Sequence, residues 1–267
     1  MSDAFPLWVP VHPHPPHEPE TAMIVQPAVR PNVQPASVPV EALAAEAQPT
    51  TIHHALIFDP RYVRVKRVLD VVLTLLALVP FGLVMAVAAL AIRLDSQGPI
   101  LYRQKRVGQD GVEFEMLKFR SMYHNSDQKV HEQVAERWMK GQAFDDGSGL
   151  AFKLARDPRI TRVGRFIRKT SIDELPQLWN VLRGEMSVVG PRPPVPYEVK
   201  HYSARDRLRL CGKPGLTGPW QVYGRGRVPF RKMVEQDITY LHRQSLLYDF
   251  KLMVLTVPVM LFARGGG

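Results

Sequence analysis

The stretch "VVLTLLALVPFGLVMAVAALAI", residues 71–92, contains no charged side chain. Its 22 residues, at about 1.5 Å each, reach about 33 Å, against a bilayer hydrocarbon core of about 30 Å. The run is apolar on every face, and the rest of the chain offers little to bury such a helix. Membrane insertion is therefore expected. Pro80, followed by Gly82, falls near the middle. A proline there removes one backbone hydrogen bond and clashes with the preceding turn, which predicts a kink. Lys66 and Arg67 precede the run; Arg93, Arg103, Lys105 and Arg106 follow it. The positive-inside preference asks for one basic side, and here both qualify. A re-entrant helix that dips into one leaflet and returns satisfies both flanks, whereas a crossing satisfies one. The re-entrant reading leads, a crossing stays open, and everything else is expected on the cytoplasmic face.

Composition narrows the partners. Lys+Arg 35 against Asp+Glu 25 leaves a formal charge of +10. That balance suits an anionic partner such as a phosphorylated substrate, an anionic membrane surface or nucleic acid. No recognition helix or aromatic RNA platform accompanies the charge, so nucleic acid is not expected. The single cysteine, Cys211, excludes an internal disulfide framework. No Cys/His cluster has zinc spacing; His12, His14 and His17 sit among prolines and are read as part of the tail. The N-terminus lacks a basic segment followed by an apolar core, so no secretory signal is expected. Half of the 24 prolines lie in residues 1–60, and residues 1–55 read as a disordered tail.

Downstream of the apolar run, "ILYRQKRV" and "VEFEMLKF" flank the turn "GQDG" and predict a β-hairpin ending on Lys118 and Arg120. "KVHEQVAERWMK" has a helical pattern, followed by a Gly/Asp-rich loop. "LMVLTVPVMLF" (252–262), interrupted by Pro258, is too short to span and reads as an interfacial or a core helix. The fold class is α+β and mostly helical. A membrane-inserted re-entrant helix with its flanks (61–97) joins a compact cytoplasmic domain (98–262) that carries the small hairpin and interfacial helices.

The chemistry concentrates in "FIRKTSIDELPQLWNVL", residues 166–182. Leu175, Leu178, Trp179, Val181 and Leu182 recur at helical spacing. Ser171 and Glu174 have the spacing of a capping box, which predicts a helix starting within 171–173, with Asp173 near free amides at the positive end of the helix dipole. An acidic pair at a helix start is by itself an ordinary cap. Here Asp173 and Glu174 follow Arg162, Arg165, Arg168 and Lys169, and two further basic elements flank the helix: Lys118 with Arg120, and Arg192 in "GPRPP". Guanidinium forks match phosphate oxygens and stay charged. Cations and a divalent metal would lower the repulsion that a carboxylate meets on approaching a phosphate.

In "KRVLD", "GPILYRQKRVG", "FEMLKFRSM", "ITRVGRFIRKTSIDELPQLWNVLRGEMSVVGPRP" and "KPGLTGPWQVYGR" the chain resembles the bacterial sugar transferases, the monotopic phosphoglycosyl transferases of exopolysaccharide initiation. The resemblance covers about 61–262, all but the tail. It implies transfer of a sugar 1-phosphate from a UDP-sugar to undecaprenyl phosphate, with release of UMP and with Mg²⁺ as cofactor, at the bacterial inner membrane. It implies Asp173 as covalent nucleophile, with Glu174 assisting in metal binding or proton handling, so that Asp173 and Glu174 are the metal ligands. Arg168, Arg192, Lys118 and Arg120 are implied as phosphate-binding positions, Pro80 as the break of the re-entrant helix, and Lys66 and Arg67 as head-group anchors. "KPGLTGPWQVYGR" reads either as a structural loop or as part of the substrate pocket through Gln221 and Arg225. A homo-oligomer or polysaccharide-assembly partners are compatible with the resemblance. Longer members carry several N-terminal spans; this chain reads as the short catalytic form. No chemistry is expected in residues 127–150, and the transferred sugar is not specified.

Overall fold

The computed structural model describes residues 59–124, 135–141, 157–224 and 228–262. The proline-rich tail, the histidines within it, most of the Gly/Asp-rich loop and Arg225 lie outside the described residues. Helix α1 runs from Pro60 to Asp95. Asp59 caps it, its Oδ1 accepting from Arg61 N at 2.8 Å, and proline at the first helical position costs no hydrogen bond there. Its 36 residues extend about 54 Å at helical rise. The helix continues on both sides of Pro80, so the expected break is not an end of the helix. Most of its middle is uncovered apolar surface, with Val79 81% exposed.

Both ends of α1 dock on the rest of the protein, and the contacts revise the sequence reading. Lys66 pairs with Asp249 at 2.6 Å, and Arg67 donates to the carbonyls of Val181 and Leu182 at 2.6 and 2.7 Å. These two cations are therefore met by protein groups. Asp70, buried, accepts from Ser187 Oγ and Val188 N, each at 3.0 Å. At the far end Ala88 and Ile92 pack with Phe119 and Ile167, and Asp95 accepts from Val163 N at 3.0 Å.

The hairpin forms as its alternation predicts. Strands β1 (Leu101–Val107) and β2 (Glu113–Phe119) pair antiparallel, with Leu101 opposite Phe119 and Tyr102 opposite Lys118. Asp110 and Gly111 take positive φ in the connecting turn. Side chains alternate across the sheet, so Leu101, Arg103, Leu117 and Phe119 share one face. The other face carries Lys118, Arg106 and Met116, and Met116 packs with Val181 and Met186.

After the hairpin come a helical turn at 135–139, helix α2 (Arg162–Lys169) and helix α3 (Gln177–Arg183). Strand β3 (Ser187–Val189) pairs in parallel with β4 (Gly215–Thr217), a second sheet that the sequence reading did not anticipate. Gly190, Gly215 and Gly218 allow the two backbones to approach more closely than any Cβ would permit. Between these strands lie the single-turn helices α4 (Pro196–Val199) and α5 (Ala204–Arg207). Helices α6 (Phe230–Arg243) and α7 (Leu246–Phe262) close the chain. Helix α7 joins both readings offered for it. Leu252 is buried against Val189, Tyr240 and Leu241, while Leu247, Phe250, Val254 and Val257 form an exposed apolar stripe at helical spacing.

Candidate active site

Asp173 and Glu174 sit in a separate 3-10 turn, Ile172–Glu174, and not in the first turn of an α-helix. Ser171 precedes it in the left-handed conformation, φ 58°, and its side chain gives the turn no capping bond. The chain thus reverses at Ser171, so the predicted capping box does not form. Pro176 stands immediately before α3, where its missing N–H costs nothing. The dyad therefore owes its setting mainly to neighbouring side chains.

Those neighbours are cations. Lys118 Nζ lies 3.1 Å from Glu174 Oε1. Arg168, in the last turn of α2, acts on Asp173 by its charge, and its buried Nε has no hydrogen-bond partner. Asp173 is pushed up to about 6. Burial is the largest cause and the adjacent Glu174 charge the next, while Lys118 and Arg168 pull the other way. Two crowded carboxylates thus stand beside a guanidinium with an unused donor.

The structure separates the remaining predicted residues. Arg192 belongs to an adjoining cluster, where it pairs with Glu198 at 3.3 Å and stacks over Trp220 at 5.3 Å. Gln221 lies in the π-helical turn Trp220–Gly224; its Oε1 is buried without a partner. Arg120 is not brought to the dyad. It is 4% exposed, and its Nη2 donates to the carbonyl and hydroxyl of Ser96 at 2.7 and 2.9 Å, closing the end of α1. Its role here is to cap that helix. Arg106, read from sequence as a membrane flank, is instead buried on the same hairpin face as Lys118. Burial, then the charge of Arg192, lowers its pKa to about 10, opposed by Glu198, Tyr197 and Glu174. The period of two in "YRQKRV" was the available signal: residues 102, 104 and 106 must share a face.

Among the described residues no group of three or more His, Cys, Asp or Glu side chains is placed to hold a metal. The dyad's two carboxylates still fit magnesium, which commonly takes one or two carboxylates, waters and substrate phosphate oxygens. The mutual repulsion that raises Asp173 is what a cation would relieve. Behind the dyad, Leu175, Pro176 and Trp179 line a groove of about 420 Å³ with Leu117 and with Leu78 and Met85 of α1. That size falls in the ordinary range for ligand pockets.

The arrangement is a carboxylate pair flanked by cations, on a domain fastened to one long apolar helix. The chain belongs to the bacterial sugar transferase family, whose model matches residues 61–263. It is 42% identical over 201 residues to the galactosyl transferase CpsE of Streptococcus agalactiae, covering 75% of this chain and 43% of that protein. It is 43% identical over 204 residues to the UDP-glucose:undecaprenyl-phosphate glucose-1-phosphate transferase of Caulobacter vibrioides, covering 73% of this chain and 69% of that one. It is 38% identical over 200 residues to the exopolysaccharide production protein ExoY of Sinorhizobium fredii, covering 75% of this chain and 87% of that one. The matched region spans less than half of the streptococcal relative and of the UDP-galactose-lipid carrier transferase of Erwinia amylovora.

Proposed function

We propose that this protein transfers a hexose 1-phosphate from a UDP-sugar to undecaprenyl phosphate at the cytoplasmic face of a bacterial inner membrane, initiating exopolysaccharide or a related glycan. The observation that carries the reading is the 3-10 turn that sets Asp173 and Glu174 under Lys118 and Arg168. An ionised Asp173 attacks the phosphorus that bears the sugar. The bond from that phosphorus to the UMP oxygen breaks, and UMP leaves. An acyl phosphate to the sugar remains on Asp173. A phosphate oxygen of the lipid then attacks the same phosphorus, the bond to Asp173 breaks, and the carboxylate is regenerated. Lys118 holds Glu174 in place, and Arg168 takes a phosphate oxygen, a role its unused donor supports. Asp173 and Glu174 would hold Mg²⁺, which would supply charge neutralisation and orientation.

The contacts of α1 support the re-entrant reading. Its start, at Arg67 and Asp70, and its end, at Ile92 and Asp95, dock on one body. A helix held that way keeps both ends on the side of the membrane where that body sits. The groove between α1 and α3 is open to a lipid chain that would not need to leave the apolar phase. We assign the isoprenyl segment nearest the acceptor phosphate to it.

The test is UMP release by purified protein in nanodiscs, across a panel of UDP-sugars with undecaprenyl phosphate. The native protein is expected to release UMP with at least one donor, and Asp173→Asn to release none. Donor labelled in the sugar should remain covalently attached to native protein when the acceptor is withheld. Full turnover by the Asn variant would rule out the covalent route.

A further inference from the structure

Four successive carbonyls in the "GPRPP" stretch are each taken by a donor from elsewhere in the chain. Pro191 O accepts from Gly215 N at 2.9 Å, Arg192 O from Arg209 Nη2 at 2.9 Å, Pro193 O from Arg106 Nη1 at 2.8 Å, and Pro194 O from Val107 N at 2.9 Å. Pro191, Pro193 and Pro194 have no N–H, so this segment can be gripped from outside chiefly through its oxygens. Arg192 is the one cationic side chain on the backbone so held.

Two of the four donors are buried guanidinium groups, and they differ in how their charge is met. Arg209 is ion-paired with Asp237, which is fully buried, and its Nη1 donates to Tyr202 Oη at 2.6 Å. Arg106 forms no ion pair among the described residues. Besides Pro193 it meets only Gln104 Oε1, through Nη2 at 2.7 Å and Nε at 3.2 Å. A neutral donor would hold a carbonyl equally well, and burying a guanidinium with no carboxylate hydrogen-bonded to it is costly. Arg106 lies next to the Arg192–Glu198 pair and within the field of Glu174.

The geometry points to Arg106 as a positioning residue for the transfer described above. It pins the Pro193 carbonyl so that the Arg192 fork is presented to the nucleotide phosphate, and it keeps a permanent positive charge beside that fork. The inference rests on the transferase reading. It extends that reading to a residue of the hairpin 67 positions before Asp173 (173 − 106).

The test compares Arg106→Gln, which keeps a donor and removes the charge, with Arg106→Lys, which keeps the charge. Affinity for UMP and for uridine is measured by calorimetry, along with kcat and KM for the best UDP-sugar. The Gln variant is expected to bind UMP about tenfold more weakly and uridine as the native protein does, and the Lys variant to recover most of the loss. KM should rise about tenfold with kcat changed less than about threefold. Native UMP affinity in the Gln variant overturns the proposal, as does an equal loss for UMP and uridine that lysine fails to rescue. Should neither variant fold, a structure of the native protein with UMP decides. Arg192 on the phosphate with the Arg106–Pro193 bond in place supports the proposal, and a phosphate bound away from Arg192 overturns it. A native protein that binds neither UMP nor any UDP-sugar removes the transferase reading itself, an outcome distinct from failure at Arg106.

Discussion

Arg67, in the second turn of α1, donates Nη1 to the carbonyl of Val181 at 2.6 Å and Nη2 to that of Leu182 at 2.7 Å. The apolar helix thereby closes the C-terminal end of the short helix that follows the dyad. The last carbonyls of a helix lack intrahelical partners, and a cation is favoured there. Arg67→Ala should lower stability by about 2–3 kcal/mol, since two charge-assisted bonds to partly buried carbonyls are lost together. Thermal unfolding in a fixed detergent measures this, with Arg67→Lys intermediate. An alanine variant as stable as the native protein would show that lipid or water replaces these bonds at no cost.

Asp173 gives a pH dependence with a defined sign. Its carboxyl is pushed from 3.8 up to about 6 in the folded protein, by burial first and by Glu174 second. The native state therefore holds its proton more tightly than the unfolded chain and loses stability as pH rises between about 4 and 6. In divalent-free buffer, Asp173→Asn should gain on the native protein through that window and then hold a constant advantage, on the order of 1 kcal/mol after allowance for partial exposure. Unfolding midpoints measured from pH 4 to 8 test it. Parallel curves would mean the carboxyl titrates normally.

Lys118 both holds Glu174 and draws Asp173 toward its ionised form. Lys118→Met should slow UMP release about a hundredfold. The loss should be larger at pH 6 than at pH 8, because removing a cation raises the Asp173 pKa and leaves less carboxylate at low pH. Initial rates across pH provide the check; a loss equal at every pH would confine Lys118 to structural support of Glu174.

The groove predicts a split between the two half-reactions. Met85→Trp would narrow it from the α1 side. Labelling of the protein by donor alone should be unchanged, while transfer to undecaprenyl phosphate slows at least about fivefold, by steric exclusion of a well-packed chain. A short-chain prenyl phosphate should be less affected. Equal slowing of both steps would place the acceptor chain elsewhere.

Much of this protein is legible in one dimension. A run of 22 uncharged residues announces a long apolar helix whose length matches a bilayer. The hairpin follows from a period of two around a glycine turn, and the dyad stands out because one of its cations, Arg168, lies a few residues before it. Reading stops where a group's partner is far along the chain. Arg120 and Lys118 are two residues apart with the same charge, yet one closes α1 at Ser96 and the other meets Glu174. Lys66 looks like a lipid anchor until Asp249 arrives beside it from 183 positions away. The parallel β3–β4 pair depends on glycines whose value appears only when two backbones touch. Local chemistry and periodicity are properties of neighbouring residues and survive in the linear chain. Which carbonyl or carboxylate a buried cation meets is set by packing between distant segments, and only the tertiary structure decides it.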